Sequence, residues 1–200
     1  MHVRNRSPSV KLLQDSLKEY GYDIRKLQEV LFRKNVRFGL GTDLKKIVPE
    51  GVQDCYTMAF LRGLDYTENC YSCHYAQGSR VGDLTMGDSW GTEYNDELQK
   101  GISLILCQTE KGKELLDKMD FIFKKVNLDN AVKNNLQLQH PSIAPEQRDQ
   151  FFNNLDKGMS FNKAVKKAYP KDCLKQDVKS VLIKLGWYWG DTVMYEIGVI

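Results

Sequence analysis

A chain of 200 residues with 42% apolar content holds enough nonpolar mass for one ordinary core, or for one core and a small appendage. Lysine and arginine number 29 against 26 acidic residues, and they are scattered rather than gathered into a stripe, which argues against a nucleic-acid interface. No apolar run reaches the length of a membrane span and no export signal opens the chain, so a soluble, cytoplasmic protein with no membrane partner is expected. Five cysteines, an odd number, then read as reduced thiols and ligands rather than as a disulfide framework.

In chain order, Ser7 is placed to cap a helix with Pro8 in its first turn; Val10, Leu13, Leu17 and Tyr20 recur at helical spacing until Gly21 stops it. Residues 26–32 read as a strand and residues 36–42, with their glycines, as a loop. Val52, Cys55, Tyr56, Ala59 and Gly63 share one helix face, and that helix delivers the backbone to Cys70. Residues 101–108 form a short apolar run suited to a buried strand, followed by a helix through Leu115, Leu116 and Met119 and a strand at 121–126. The expected fold is therefore mixed α/β, a small mixed sheet covered by helices.

Beyond Asn127 the composition turns to Asn, Gln and Pro, and helices alone are expected. One opens at Pro145 and carries Phe151, Phe152 and Leu155; another is capped by Ser160 and carries Phe161, Ala164, Val165 and Ala168. Val178, Val181, Leu182, Leu185 and Trp189 make the cleanest apolar stripe in the chain. Residues 1–126 thus read as a mixed α/β domain and 127–200 as a helical C-terminal extension, an appendage offering a docking surface.

The chemistry concentrates between Cys70 and Gly91. Cys70-Tyr71-Ser72-Cys73-His74 lets two thiolates reach one soft-metal or redox centre. Zinc, an iron-sulfur cluster, disulfide exchange and c-type haem attachment all use this spacing, and two thiols that bind nothing is the plain alternative. Cys55 lies on the apolar helix face, Cys107 inside the apolar strand run and Cys173 in the extension, so each reads as a small buried or incidental residue. Gly82, Gly87 and Gly91 allow backbone to approach a bulky group, with Asp83 and Asp88 holding the turns; alternatively they form two tight turns around a short strand at 84–86. Trp90 suits ring stacking or a core position, and Arg33 and Arg80 suit an anionic ligand group or solvent.

These landmarks, with Phe32-Arg33-Lys34, the segment from Tyr56 to Tyr75, Gly101-Ile102-Ser103-Leu104, Thr109-Glu110-Lys111-Gly112 and Arg148-Asp149-Gln150-Phe151-Phe152, run in an order that resembles the C-terminal domain of the beta subunit of the deazaflavin-dependent (coenzyme F420) hydrogenase and dehydrogenase family. The resemblance implies an iron-sulfur flavoprotein module that passes electrons between a 4Fe-4S cluster, FAD or another flavin, and a partner. Cys70 and Cys73 would be metal ligands; Arg33, Arg80, Asp83, Gly87, Asp88, Trp90 and Gly91 would face the cofactor. It further implies a cysteine upstream of Met1, in an N-terminal half that would complete the site, and a redox partner such as a ferredoxin. An electron-transfer oxidoreductase is the expected function. A non-catalytic interaction or partner-completing domain without bound cofactor is the alternative.

Overall fold

The computed structural model describes residues 2–3, 8–34, 37–43 and 47–187. Two small sheets and seven α-helices make up these residues, a mixed α/β fold as expected. Strand β1 (His2–Val3) pairs in parallel with β4 (Leu84–Asp88), and β4 pairs antiparallel with β5 (Ser103–Cys107), so this sheet is mixed. The second sheet is an antiparallel hairpin of β2 (Val30–Lys34) and β3 (Arg37–Thr42), in register from Val30 opposite Thr42 to Lys34 opposite Arg37, with an irregularity between Leu31 and Arg33.

Helix α1 (Val10–Glu19) starts at Ser9, whose N–H donates to the Asp65 carbonyl, and it gives way to a turn at Gly21, where φ is +87°. The expected cap, Ser7, lies outside the described residues; Pro8 instead forms a bridge to Tyr66. Helix α2 (Cys55–Leu61) is fastened by one buried carboxylate. Asp54 accepts from the N–H and hydroxyl of Thr57, at 2.9 and 2.6 Å, and from the N–H of Leu40 in β3 at 2.7 Å. One side chain thus caps the helix and joins it to the hairpin.

Helix α3 (Glu110–Asp117) is capped by Thr109, and α4 (Leu128–Lys133) by Asn127. Helices α5 (Arg148–Asp156), α6 (Phe161–Ala168) and α7 (Pro170–Lys184) complete the fold. The main core joins Leu12 and Leu17 of α1, Tyr56 and Met58 of α2, Phe151 of α5, Phe161 and Val165 of α6, and Cys173 of α7. Phe161 sits at its centre, with ring centroids 6.2 Å from Tyr56 and 5.8 Å from Phe151. Leu104, Ala131 and Leu138 form a smaller cluster between β5, α4 and the segment after it. Among the described residues no helix is long and apolar enough to cross a membrane.

Four local expectations are corrected. Residues 24–26 form a short 3-10 turn capped by Asp23, which accepts from Arg25 N–H, so the first hairpin strand begins only at Val30. Residues 37–42 are a strand despite Gly39 and Gly41, because pairing with β2 and the Asp54 bond at Leu40 outweigh the weak strand preference of glycine. Residues 121–126 are not a strand: Phe121, Ile122 and Phe123 are exposed, and the segment is held through side chains, Lys124 on Glu97 and Asn127 N–H on Glu93. Cys107 is exposed at the end of β5, where its thiol donates to the Thr109 carbonyl. Of the last stripe, Val178, Val181 and Leu185 remain exposed on and just after α7, and Trp189 lies outside the described residues.

Candidate functional site

Cys70 ends a short 3-10 turn, Glu68–Cys70, entered from Thr67. Its N–H donates to the Thr67 carbonyl at 2.9 Å, its Sγ lies 3.8 Å from Thr67 Oγ1, and its carbonyl accepts from the N–H of Ser142 at 3.0 Å. Cys73 follows in a second turn, where its carbonyl accepts from Ala76 N–H at 3.1 Å. Both cysteines are half-buried and neither is in a disulfide. Among the described residues no group of three or more His, Cys, Asp or Glu side chains is gathered to hold a metal ion. A cubane cluster takes four ligands, so this arrangement fits part of such a site and not the whole.

Arg80 is half-buried. Burial lowers its pKa, and the neighbouring Cys73 opposes that shift. Its guanidinium donates to the carbonyls of Gln77, at 3.0 Å, and Gln137, at 2.8 Å. Asp83, at the entrance to β4, accepts from the Thr109 hydroxyl at 2.7 Å, while its carbonyl accepts from Gln108 N–H. Thr109 also accepts from Gly112 N–H, and a Cβ on Gly112 would stand 2.5 Å from the Asp83 carbonyl oxygen. A side chain there cannot be accommodated without moving α3 away from β4.

Gly87 is a sheet residue opposite Leu104. Asp88 closes β4 and pairs with Arg33 of β2 at 3.3 Å, which connects the two sheets. Arg33 also lies 5.8 Å from the Phe38 ring centroid and lines a groove with Leu31, Phe38, Gly41, Pro49 and Val52. Glu50 lines it too, so the walls are mostly apolar with one residue of each charge. Trp90 is half-buried, and its carbonyl accepts from Asn135 Nδ2 at 3.4 Å. Gly91 has φ +67°, and its backbone passes so near the Asn134 side chain that a Cβ would lie 2.1 Å from it.

The structure therefore joins Arg33 with Asp88. It also reveals a seam that local patterns did not signal. Residues 134–142 run from Gly91 and Trp90, through the Gln137 carbonyl at Arg80, to Ser142 at the Cys70 carbonyl. A second contributor is Arg148, whose guanidinium reaches the turn around Cys70 from α5. Its signal in the sequence was the Arg148-Asp149-Gln150-Phe151-Phe152 run, which gives no hint of that contact.

No curated protein and no solved structure matches the chain. Residues 5–126, which include the Cys70 to Gly91 block, match the family described as the C terminus of the coenzyme F420 hydrogenase/dehydrogenase beta subunit. With more than half of its length matched, the chain belongs to that family, the C-terminal part of an oxidoreductase subunit.

Proposed function

We propose that the chain is an electron-transfer oxidoreductase module in which Cys70 and Cys73 contribute two thiolates to an iron-sulfur site completed by another segment or subunit. Family membership over residues 5–126 is the observation that carries this reading. Beta subunits act within multi-subunit enzymes, which supports a redox partner, either an N-terminal half or a ferredoxin-like protein. The groove beside Arg33, with Asp88 at the end of the adjoining strand and Trp90 and Gly91 in the turn that follows it, is the surface we assign, together with Arg80, to FAD or another flavin. The bound groups would supply the redox chemistry, and the chain's side chains would set their position and surroundings. Five cysteines with no disulfide among them suit a reducing, cytoplasmic setting.

The test is anaerobic reconstitution with ferrous iron and sulfide, followed by desalting, metal analysis and an absorption spectrum, with and without added FAD. The expected result is iron that depends on Cys70 and Cys73 but falls short of a full cubane, together with a flavin that co-elutes. The competing reading is a partner-completing interaction domain without bound cofactor. A folded protein that stays colourless, metal-free and flavin-free would select it and overturn ours.

A further inference from the structure

The turn that carries Cys70 is gripped by a single side chain from a distant helix. Arg148, the first residue of α5, donates from Nη2 to the Tyr66 carbonyl at 2.8 Å and from Nε to the Tyr71 hydroxyl at 3.0 Å. The Tyr71 hydroxyl in turn donates to the Gly63 carbonyl, and Arg148 also pairs with Glu68 at 2.8 Å. The guanidinium lies between two rings, its Cζ 4.8 Å from the Tyr71 centroid and 4.6 Å from that of Phe152. Tyr71 itself stacks on Tyr66 at 6.1 Å.

Not all of these contacts weigh equally. Glu68 is 82% exposed, so its ion pair is screened and weak. The Arg148 side chain is only 12% exposed, so its bonds to Tyr66 and Tyr71 are shielded and charge-assisted. Those two residues flank Cys70 on either side. The arm behind the grip is rigid, because Phe151, three residues along α5, is fully buried against Phe161. Ser142 N–H holds the Cys70 carbonyl as well. Both fasteners lie beyond residue 126, outside the matched region.

We infer that Arg148 is the positioning residue of the Cys70 turn, fixing the backbone on both sides of Cys70 so that Cys70 and Cys73 present their thiols as one chelating pair. Lysine cannot replace it. An ammonium keeps the charge but not the planar fork that serves a carbonyl and a hydroxyl at once while lying between two rings. The inference rests on the reading of Cys70 and Cys73 as a metal or redox pair, and it assigns to α5 the task of supporting that pair from outside the ligand set.

The experiment titrates the whole chain with cobalt(II) under anaerobic conditions and follows the thiolate-to-cobalt charge-transfer band in wild type, Arg148→Met, Arg148→Lys and Arg62→Met. Arg62 is the control, an arginine that also makes an ion pair, with Asp172 at 2.8 Å, and lies 5.5 Å from a ring centroid, that of Tyr169, but grips no part of the turn. Removing a residue that orients metal ligands weakens affinity by about 10–100-fold. That loss is expected for both Arg148 variants at temperatures where they remain folded, and none for Arg62→Met. A loss that tracks melting temperature in all three variants would make Arg148 merely structural and overturn the inference.

If wild type binds no cobalt, the metal reading of the pair fails, and positioning is read instead from the Cys70–Cys73 thiol–disulfide equilibrium. There both thiols lose a proton and an electron to form the disulfide, and a low-molecular-weight disulfide takes up both to become two thiols. A shift of about tenfold or more in that equilibrium constant in Arg148→Met, absent in Arg62→Met, sustains the inference. An unchanged constant refutes it.

Discussion

Asp65 offers the sharpest quantitative test of the packing around the site. It follows the α2 turn, its side chain is fully buried, and neither carboxylate oxygen has a hydrogen-bond partner of normal geometry among the described residues. Burial pushes its pKa from 3.8 up to about 7, against the opposing pull of its own backbone N–H and of Arg148. A rise of that size corresponds to about 4 kcal/mol of preference for the neutral acid. Below about pH 4 the carboxyl is neutral in both folded and unfolded chains and costs nothing. Between about pH 4 and 7 the unfolded chain releases the proton while the folded chain keeps it, so stability falls as pH rises and stays reduced above that window. Asp65→Asn removes the ionisation and keeps the shape. In urea unfolding the variant is expected to match wild type near pH 4 and to exceed it by about 2–4 kcal/mol near pH 8. A variant that is less stable than wild type by the same amount at every pH would refute the assignment of a buried, unpaired carboxyl.

Three further outcomes follow from named contacts. Gly112→Ala would ordinarily strengthen a helix by about 1 kcal/mol. Here the added methyl meets the Asp83 carbonyl, so a loss of about 1–3 kcal/mol in thermal unfolding is expected, and a gain would refute the close approach of α3 to β4. Asp54→Ala removes the α2 cap and leaves the buried Leu40 N–H unpaired, for a loss of about 2–4 kcal/mol; a loss under about 1 kcal/mol would mean that water or another group replaces it. Cys70→Ser and Cys73→Ser should each abolish metal retention after reconstitution, whereas substitution of Cys55, Cys107 or Cys173 should leave it intact, because a hydroxyl is a poor soft-metal ligand.

What the sequence made legible was local. The buried face of α2, from Cys55 through Tyr56 to Ala59, shows as helical spacing, and β5 shows as an apolar run between turn residues. The same logic misread residues 121–126, where apolar β-formers found no neighbouring strand to pair with. It misread β3 in the opposite direction, because glycines that suggest a loop are tolerated once a hairpin partner and the Asp54 carboxylate supply the bonds. Neither outcome depends on the residues of the segment itself.

The candidate site divides along the same line. Cys-x-x-Cys and the glycine-rich block after it are patterns of near neighbours, visible as spacing within a short stretch of sequence. Their support comes from far along the chain: the Tyr71 hydroxyl and Arg148 are 77 positions apart, and the Arg80 guanidinium and the Gln137 carbonyl are 57 apart. Contacts of that kind impose no period and no spacing rule, since they arise only when α5 and the 134–142 seam dock against the turn. The groups that hold the Cys70 turn and Arg80 belong to the helical third of the chain, whose apolar spacing announces its helices but not where they dock.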